Sequence, residues 1–70
     1  MREVTIRDEV IRLGQLLKLA GIADSGTDAK ELLADGAVRV NGEPETRRGR
    51  QLRAGDVVDA AGEQVTVKTG

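Results

Sequence analysis

The sequence has no cysteine, no histidine and no phenylalanine, tryptophan or tyrosine among its 70 residues. Without cysteine there is neither a disulfide framework nor a thiolate metal site. Without histidine the usual proton shuttle and the commonest metal ligand are missing. These absences exclude a Ser–His–Asp triad, a Cys–His dyad, a zinc site and a haem, so no metal, no cofactor and no enzymatic activity are expected. Lack of aromatics argues against single-strand recognition by base stacking. Apolar runs are only a few residues long, so no membrane span fits. The first residues, Met1 to Glu9, hold no apolar stretch of the kind a signal peptide needs, which makes a cytoplasmic protein the expectation. Net charge is also nearly absent. Eleven Lys+Arg against 12 Asp+Glu leave −1, which on its face argues against nucleic acid.

What is present is enough to fold. Leu, Ile and Val total 18 of 70 residues, above the roughly 20% below which chains tend to disorder. The length allows one domain, residues 1–70, expected to be monomeric, with a marginal core made of aliphatic side chains alone.

Periodicity divides the chain. Val4-Thr5-Ile6 alternates, predicting a strand near residues 3–6. Val10, Leu13, Leu17 and Ala20 then recur at helical spacing, widened by Leu16, and Gly21 follows as a stop. Arg12, Gln15 and Lys18 fall off that stripe. Gly14 within it costs about 1 kcal/mol relative to Ala, which points to a close backbone approach there. Ser25 with Asp28 three residues on fits a capping box, with Thr27 as the alternative cap. Ala29, Leu32 and Leu33 give a second helix its apolar face, and Gly36 ends it. Beyond Gly36 the period is two: Val38 and Val40 point one way and Arg39 the other, before the hairpin signal Asn41-Gly42. Pro44 restricts any following strand to an edge. Residues 45–53 lack apolar periodicity. Ala54-Gly55-Asp56 reads as a turn, and Val57-Val58 and residues 64–68 read as strands around a turn at Ala61-Gly62-Glu63. The order is an α+β arrangement: two short packed helices followed by a small, mostly antiparallel sheet.

The near-zero net charge conceals a division. Residues 1–38 carry −2, residues 39–53 carry +3, and residues 54–70 carry −2. Local field decides whether a phosphate is attracted, because charges are screened beyond about 8 Å at physiological salt. All five cations of the middle segment, Arg39, Arg47, Arg48, Arg50 and Arg53, are arginine. Arginine holds phosphate with paired hydrogen bonds and lays its plane on bases. Three arginines within four positions repel one another unless an anion joins them, and Glu43 and Glu45 are the candidates within the chain.

An ordered set of motifs then stands out: Leu16-Leu17-Lys18-Leu19-Ala20, Asp24-Ser25-Gly26, Ala29-Lys30, Val38-Arg39-Val40-Asn41-Gly42-Glu43, Arg47-Arg48-Gly49-Arg50 and Ala54-Gly55-Asp56-Val57-Val58. Over about residues 11–60 this set resembles the RNA-binding domain of ribosomal protein S-four, the alpha-L motif. More narrowly, it is similar to the small stand-alone bacterial proteins of that type. The resemblance implies two helices packed on a small curved sheet, and binding of structured RNA such as ribosomal or transfer RNA, on the ribosome or an assembly intermediate. By the same resemblance Ser25 and Lys30 face the RNA backbone at the start of the second helix. Arg39 and Asn41 belong to the contacting hairpin, flanked by Arg47, Arg48, Arg50 and Arg53. Arg12 and Lys18 extend the patch from the first helix. Two positions depart from many members: Gly26 stands where an arginine follows the serine, and Gly14 where an aspartate follows the leucine. The stand-alone branch commonly differs in the same way, which makes both departures subfamily features.

Two other classes fit less well. A helix-turn-helix DNA binder would send the second helix into a groove, yet that helix bears Asp28, Glu31 and Asp35 against Lys30, the wrong sign near phosphates. A ubiquitin-like carrier would end in an exposed Gly-Gly, whereas this chain ends Lys68-Thr69-Gly70.

Overall fold

In the computed structural model, which describes residues 2–70, most aliphatic side chains gather into one core between the strands and the helices, with Leu19 of the first helix left exposed. The elements are β1 (Arg2–Ile6), β2 (Val10–Arg12), α1 (Leu13–Leu19), α2 (Gly26–Ala34), β3 (Val38–Val40), β4 (Glu43–Pro44), β5 (Gln51–Arg53), β6 (Val57–Ala60) and β7 (Glu63–Thr69). Five strands run in the order β1-β7-β6-β3-β4, and β2 pairs separately with β5. The fold is the expected α+β type with a mostly antiparallel sheet: β1 lies parallel to β7 and the other pairs are antiparallel. Burial strictly alternates in β3, where Val38 and Val40 are buried and Arg39 is exposed. Leu13, Leu16, Leu17 and Leu33 from the helices meet Val38, Val40, Leu52, Val58, Val65 and Val67 from the strands, all nearly inaccessible to water.

Both helices end as their glycines suggest. Gly21 and Gly36 have φ of 74° and 73°. Ile22 donates to the Leu17 carbonyl and Ala37 to the Leu32 carbonyl, the reversed bonds of a Schellman stop. Ser25 is the cap of α2, its hydroxyl accepting from the Asp28 amide at 3.1 Å. The reciprocal bond is shifted by one residue, because the Asp28 carboxylate accepts from the Asp24 amide at 3.2 Å.

The first helix and the arginine-rich segment depart from expectation. Helix α1 starts at Leu13, not near Val10, because Val10 and Ile11 are β-branched and extend into a ladder opposite Arg53 and Leu52. Arg12 therefore ends a strand and is not a helix residue. Residues 45–53 are also not wholly irregular, since β5 buries Leu52 completely. A three-residue strand with one apolar side chain leaves no visible period.

Two tight turns close the hairpins. Val40 pairs with Glu43 around Asn41-Gly42, and Ala60 pairs with Glu63 around Ala61-Gly62. The second turn is thus narrower than the sequence suggests, Glu63 being already in β7. Asn41 and Ala61 both have φ of 52°, the left-handed region that asparagine adopts at less cost than alanine. Ala61→Asn should stabilise the protein by about 1 kcal/mol, read from the urea midpoint.

Candidate nucleic-acid interface

Helix α1 has no side chain capping its start. Its first amides, of Leu13 and Gly14, donate instead to the carbonyls of Arg50 and Arg48, at 2.8 and 2.9 Å. The loop of residues 46–50 is thereby stitched to the helix. Gly14 is the point of contact: a Cβ there would collide with Arg48 Cγ and stand 3.1 Å from its Cδ. That is the close approach anticipated from the sequence. Gly14→Ala should therefore destabilise the protein by about 1 kcal/mol, overpacking outweighing the gain in helix propensity. In an Arg48→Ala background, where Cγ is gone, the same change should turn neutral or stabilising. Paired urea titrations measure both.

Glu45 organises the loop. Its side chain is buried, and its amide donates to the Val38 carbonyl at 3.0 Å, tying it to β3. One carboxylate oxygen accepts from the amides of Thr46 (3.0 Å) and Arg47 (3.1 Å) and from Arg47 Nε (3.2 Å). The other accepts from Arg47 Nη2 (3.2 Å) and Arg50 Nη1 (3.0 Å). Bonds from the Arg47 side chain, then its backbone amide, then Arg50 hold the carboxyl down to about 2 against an ordinary 4.5, burial opposing them weakly. The same side-chain bond raises the Arg47 guanidinium above its ordinary value. A carboxylate with a depressed pKa in the folded state stabilises fully above its unfolded value and ceases to as pH falls through its folded one. Glu45 thus stabilises the fold above about 4.5 and loses that effect between 4.5 and about 2. Urea midpoints of wild type and Glu45→Gln should differ at neutral pH and converge towards pH 2.

Next to this knot lies a depression of about 260 Å³, lined by Arg12, Gly14, Gln15, Lys18, Gly26, Arg48 and Gly49. It brings together the strand end, the exposed side of α1, the first residue of α2 and the tip of the loop. Three of the lining residues are cations and none is acidic. Among the described residues Arg12, Lys18 and Arg48 have no ion pair and no side-chain hydrogen bond within the protein. A concave surface of one sign with low-dielectric walls focuses its field outward. The acids of α2 lie elsewhere, with Asp28, Glu31 and Asp35 around a separate depression that includes Ile22 and Leu32.

Residues 4–68 match the family profile described as the S4 domain. The chain belongs to the S4 domain family. It is 51% identical over 59 residues to the probable ribosome maturation protein RlbA of Bacillus subtilis, covering 84% of this chain and 83% of that protein. The putative RNA-binding protein YbcJ of Escherichia coli is 44% identical over 57 residues, 81% of each chain. The solution structure of YbcJ, with an alfaL motif involved in RNA binding, superposes at a TM-score of 0.74 over 97% of this chain and 87% of that one, with 38% identity. The ribosomal protein S4e of Thermoplasma acidophilum superposes at 0.62, covering 83% of this chain and 31% of that one, at 26% identity.

In this S4 domain the other residues singled out from sequence are dispersed. Lys30 is exposed on α2, outside the depression. Arg39 is exposed on β3 and donates to the Gly42 carbonyl at 3.4 Å. Asn41 braces the hairpin against the following turn. Its amide nitrogen donates to Asp56 at 3.1 Å and its oxygen accepts from the Val57 amide at 2.9 Å. Arg53 sits opposite Val10 beside Asp8 and Glu9, a site of mixed sign. Arg47 and Arg50 are occupied by Glu45, leaving Arg48 as the loop arginine that reaches the depression. Sequence reasoning gave no role in the site to Gln15 or Gly49, which help line it. The pairing of a helix glycine with an Arg-Gly step was the available signal. No helix of the described residues is long and apolar enough to cross a membrane.

Proposed function

We propose that this S4 domain is a non-catalytic RNA-binding module, cytoplasmic and monomeric, that holds the backbone of a folded ribosomal or transfer RNA. The observation that carries the reading is the convergence of three cations, Arg12, Lys18 and Arg48, unpaired among the described residues, on a depression lined by no carboxylate. Two arginines supply bidentate phosphate contacts and the lysine a point charge. Gly26, as the first residue of α2, adds helix-start amides without a side chain in the way. Ser25 serves this surface by capping the start of α2, while Lys30, Arg39 and Arg53 contribute a more distant field. The names of the B. subtilis and E. coli relatives, with their ribosomal and RNA-binding roles, favour the same class of partner. Such contacts position an RNA by backbone and shape and do not read its sequence.

Fluorescence anisotropy tests the reading. Labelled structured RNA should bind, and Lys18→Ala and Arg48→Ala should each weaken it about tenfold, the worth of one charge-assisted contact. Duplex DNA binding as tightly as RNA, with neither substitution affecting the RNA, would overturn it. Crosslinking in cells followed by sequencing names the RNA.

A further inference from the structure

Three arginines within four positions are treated differently by the fold, and one buried acid makes the difference. We infer that Glu45 is a positioning residue for the RNA contact: it withdraws Arg47 and Arg50 from the anion and presents Arg48 to the depression. This inference rests on the RNA-binding reading above. Glu45 takes the successive amides of Thr46 and Arg47, which bends the chain around its carboxylate. The Arg50 amide then donates to the Arg47 carbonyl at 3.3 Å, closing a turn with Arg48-Gly49 at its tip. From that tip the Arg48 carbonyl accepts the Gly14 amide, and its aliphatic stem lies on the Gly14 backbone. The guanidiniums on either side are drawn back onto Glu45, so their repulsion does not push Arg48 away.

By charge alone, losing this acid should tighten RNA binding, since one repulsive charge disappears and two arginines are released. Positioning predicts the opposite, because donors face both oxygens of Glu45: a glutamine must turn its amide hydrogens either towards the two guanidiniums or towards the Thr46 and Arg47 amides, and one set of anchoring bonds is lost. The test uses the full chain and a fluorescein-labelled RNA hairpin, with circular dichroism confirming the fold of each variant. Arg48→Ala and Glu45→Gln should each weaken binding about tenfold. The double variant should be no weaker than either, whereas Glu45→Gln combined with Lys18→Ala should show multiplied losses. Arg47→Ala, which leaves the backbone amides on Glu45, should keep the affinity within about twofold and the salt slope unchanged. It also serves as the test if Glu45→Gln does not fold. Tighter binding by Glu45→Gln, multiplied losses in its pair with Arg48→Ala, or a shallower salt slope in Arg47→Ala would overturn the inference. Failure of the wild type to bind the hairpin would instead remove the RNA-binding reading and this inference with it.

Discussion

Replacing Arg12, Lys18 and Arg48 together by glutamate should weaken RNA binding by about a thousandfold or more at physiological salt. Each lost phosphate contact is worth about tenfold, and each new carboxylate adds repulsion where attraction stood. All three side chains are exposed, and among the described residues none has an ion pair to lose. Substitutions of that kind shift stability by only about 0.5 kcal/mol, so the circular dichroism spectrum and the urea midpoint should scarcely move. Loss of binding with the fold intact, measured by anisotropy, places the effect at the surface. An affinity within tenfold of the wild type would show that the RNA goes elsewhere.

Leu52→Ala should be the most damaging of the core changes. Leu52 is fully buried at the centre of β5, opposite Ile11, and beside it the Arg50 carbonyl caps α1. Truncating a buried leucine costs about 2–5 kcal/mol. Globular chains hold about 0.05–0.15 kcal/mol per residue, about 4–10 kcal/mol at this length, so one substitution removes a large share. Thermal and urea unfolding should show a much lower midpoint, and RNA binding should weaken because β5 supports the 46–50 loop. A cost below about 1 kcal/mol would mean that the β2–β5 pair is not part of the core.

The same residue marks where sequence reading ends. Gly21, Gly36, Ser25 and Asn41-Gly42 are legible because their chemistry is local: a left-handed stop, a cap and a primed turn are each set by a few neighbours. Leu52 is silent because its ladder partner, Ile11, lies far away in the chain, and a three-residue strand has no period. Val10 misleads for the same reason, its helical spacing to Leu13 being overridden by pairing with Arg53. Gly14 is an intermediate case. The cost of a glycine in a helix signals a close approach, but only the fold supplies Arg48 as its partner.

The arginine segment divides similarly. Composition identifies residues 39–53 as the basic segment. It does not distinguish Arg47 from Arg48, because the distinction depends on which guanidiniums Glu45 holds in the folded loop. Nor does it join Arg12 and Lys18 to Arg48, since the stitching of the loop to α1 runs through backbone bonds that any residue makes. The chain's net charge of −1 is thus compatible with an anion site. None of the 12 acids lines the depression: Asp28, Glu31 and Asp35 surround a separate one, Asp8 and Glu9 lie beside Arg53, and Glu45 is in the buried knot.

Occupation of that depression by RNA is visible residue by residue in an NMR titration of isotope-labelled protein with structured RNA. The amide signals of Gly14, Gln15, Gly26 and Gly49 should move first and furthest as RNA is added, with those of β1 and β7 nearly still. Shifts gathered on β1 and β7 or on the acidic face of α2, with these four amides unmoved, would contradict it.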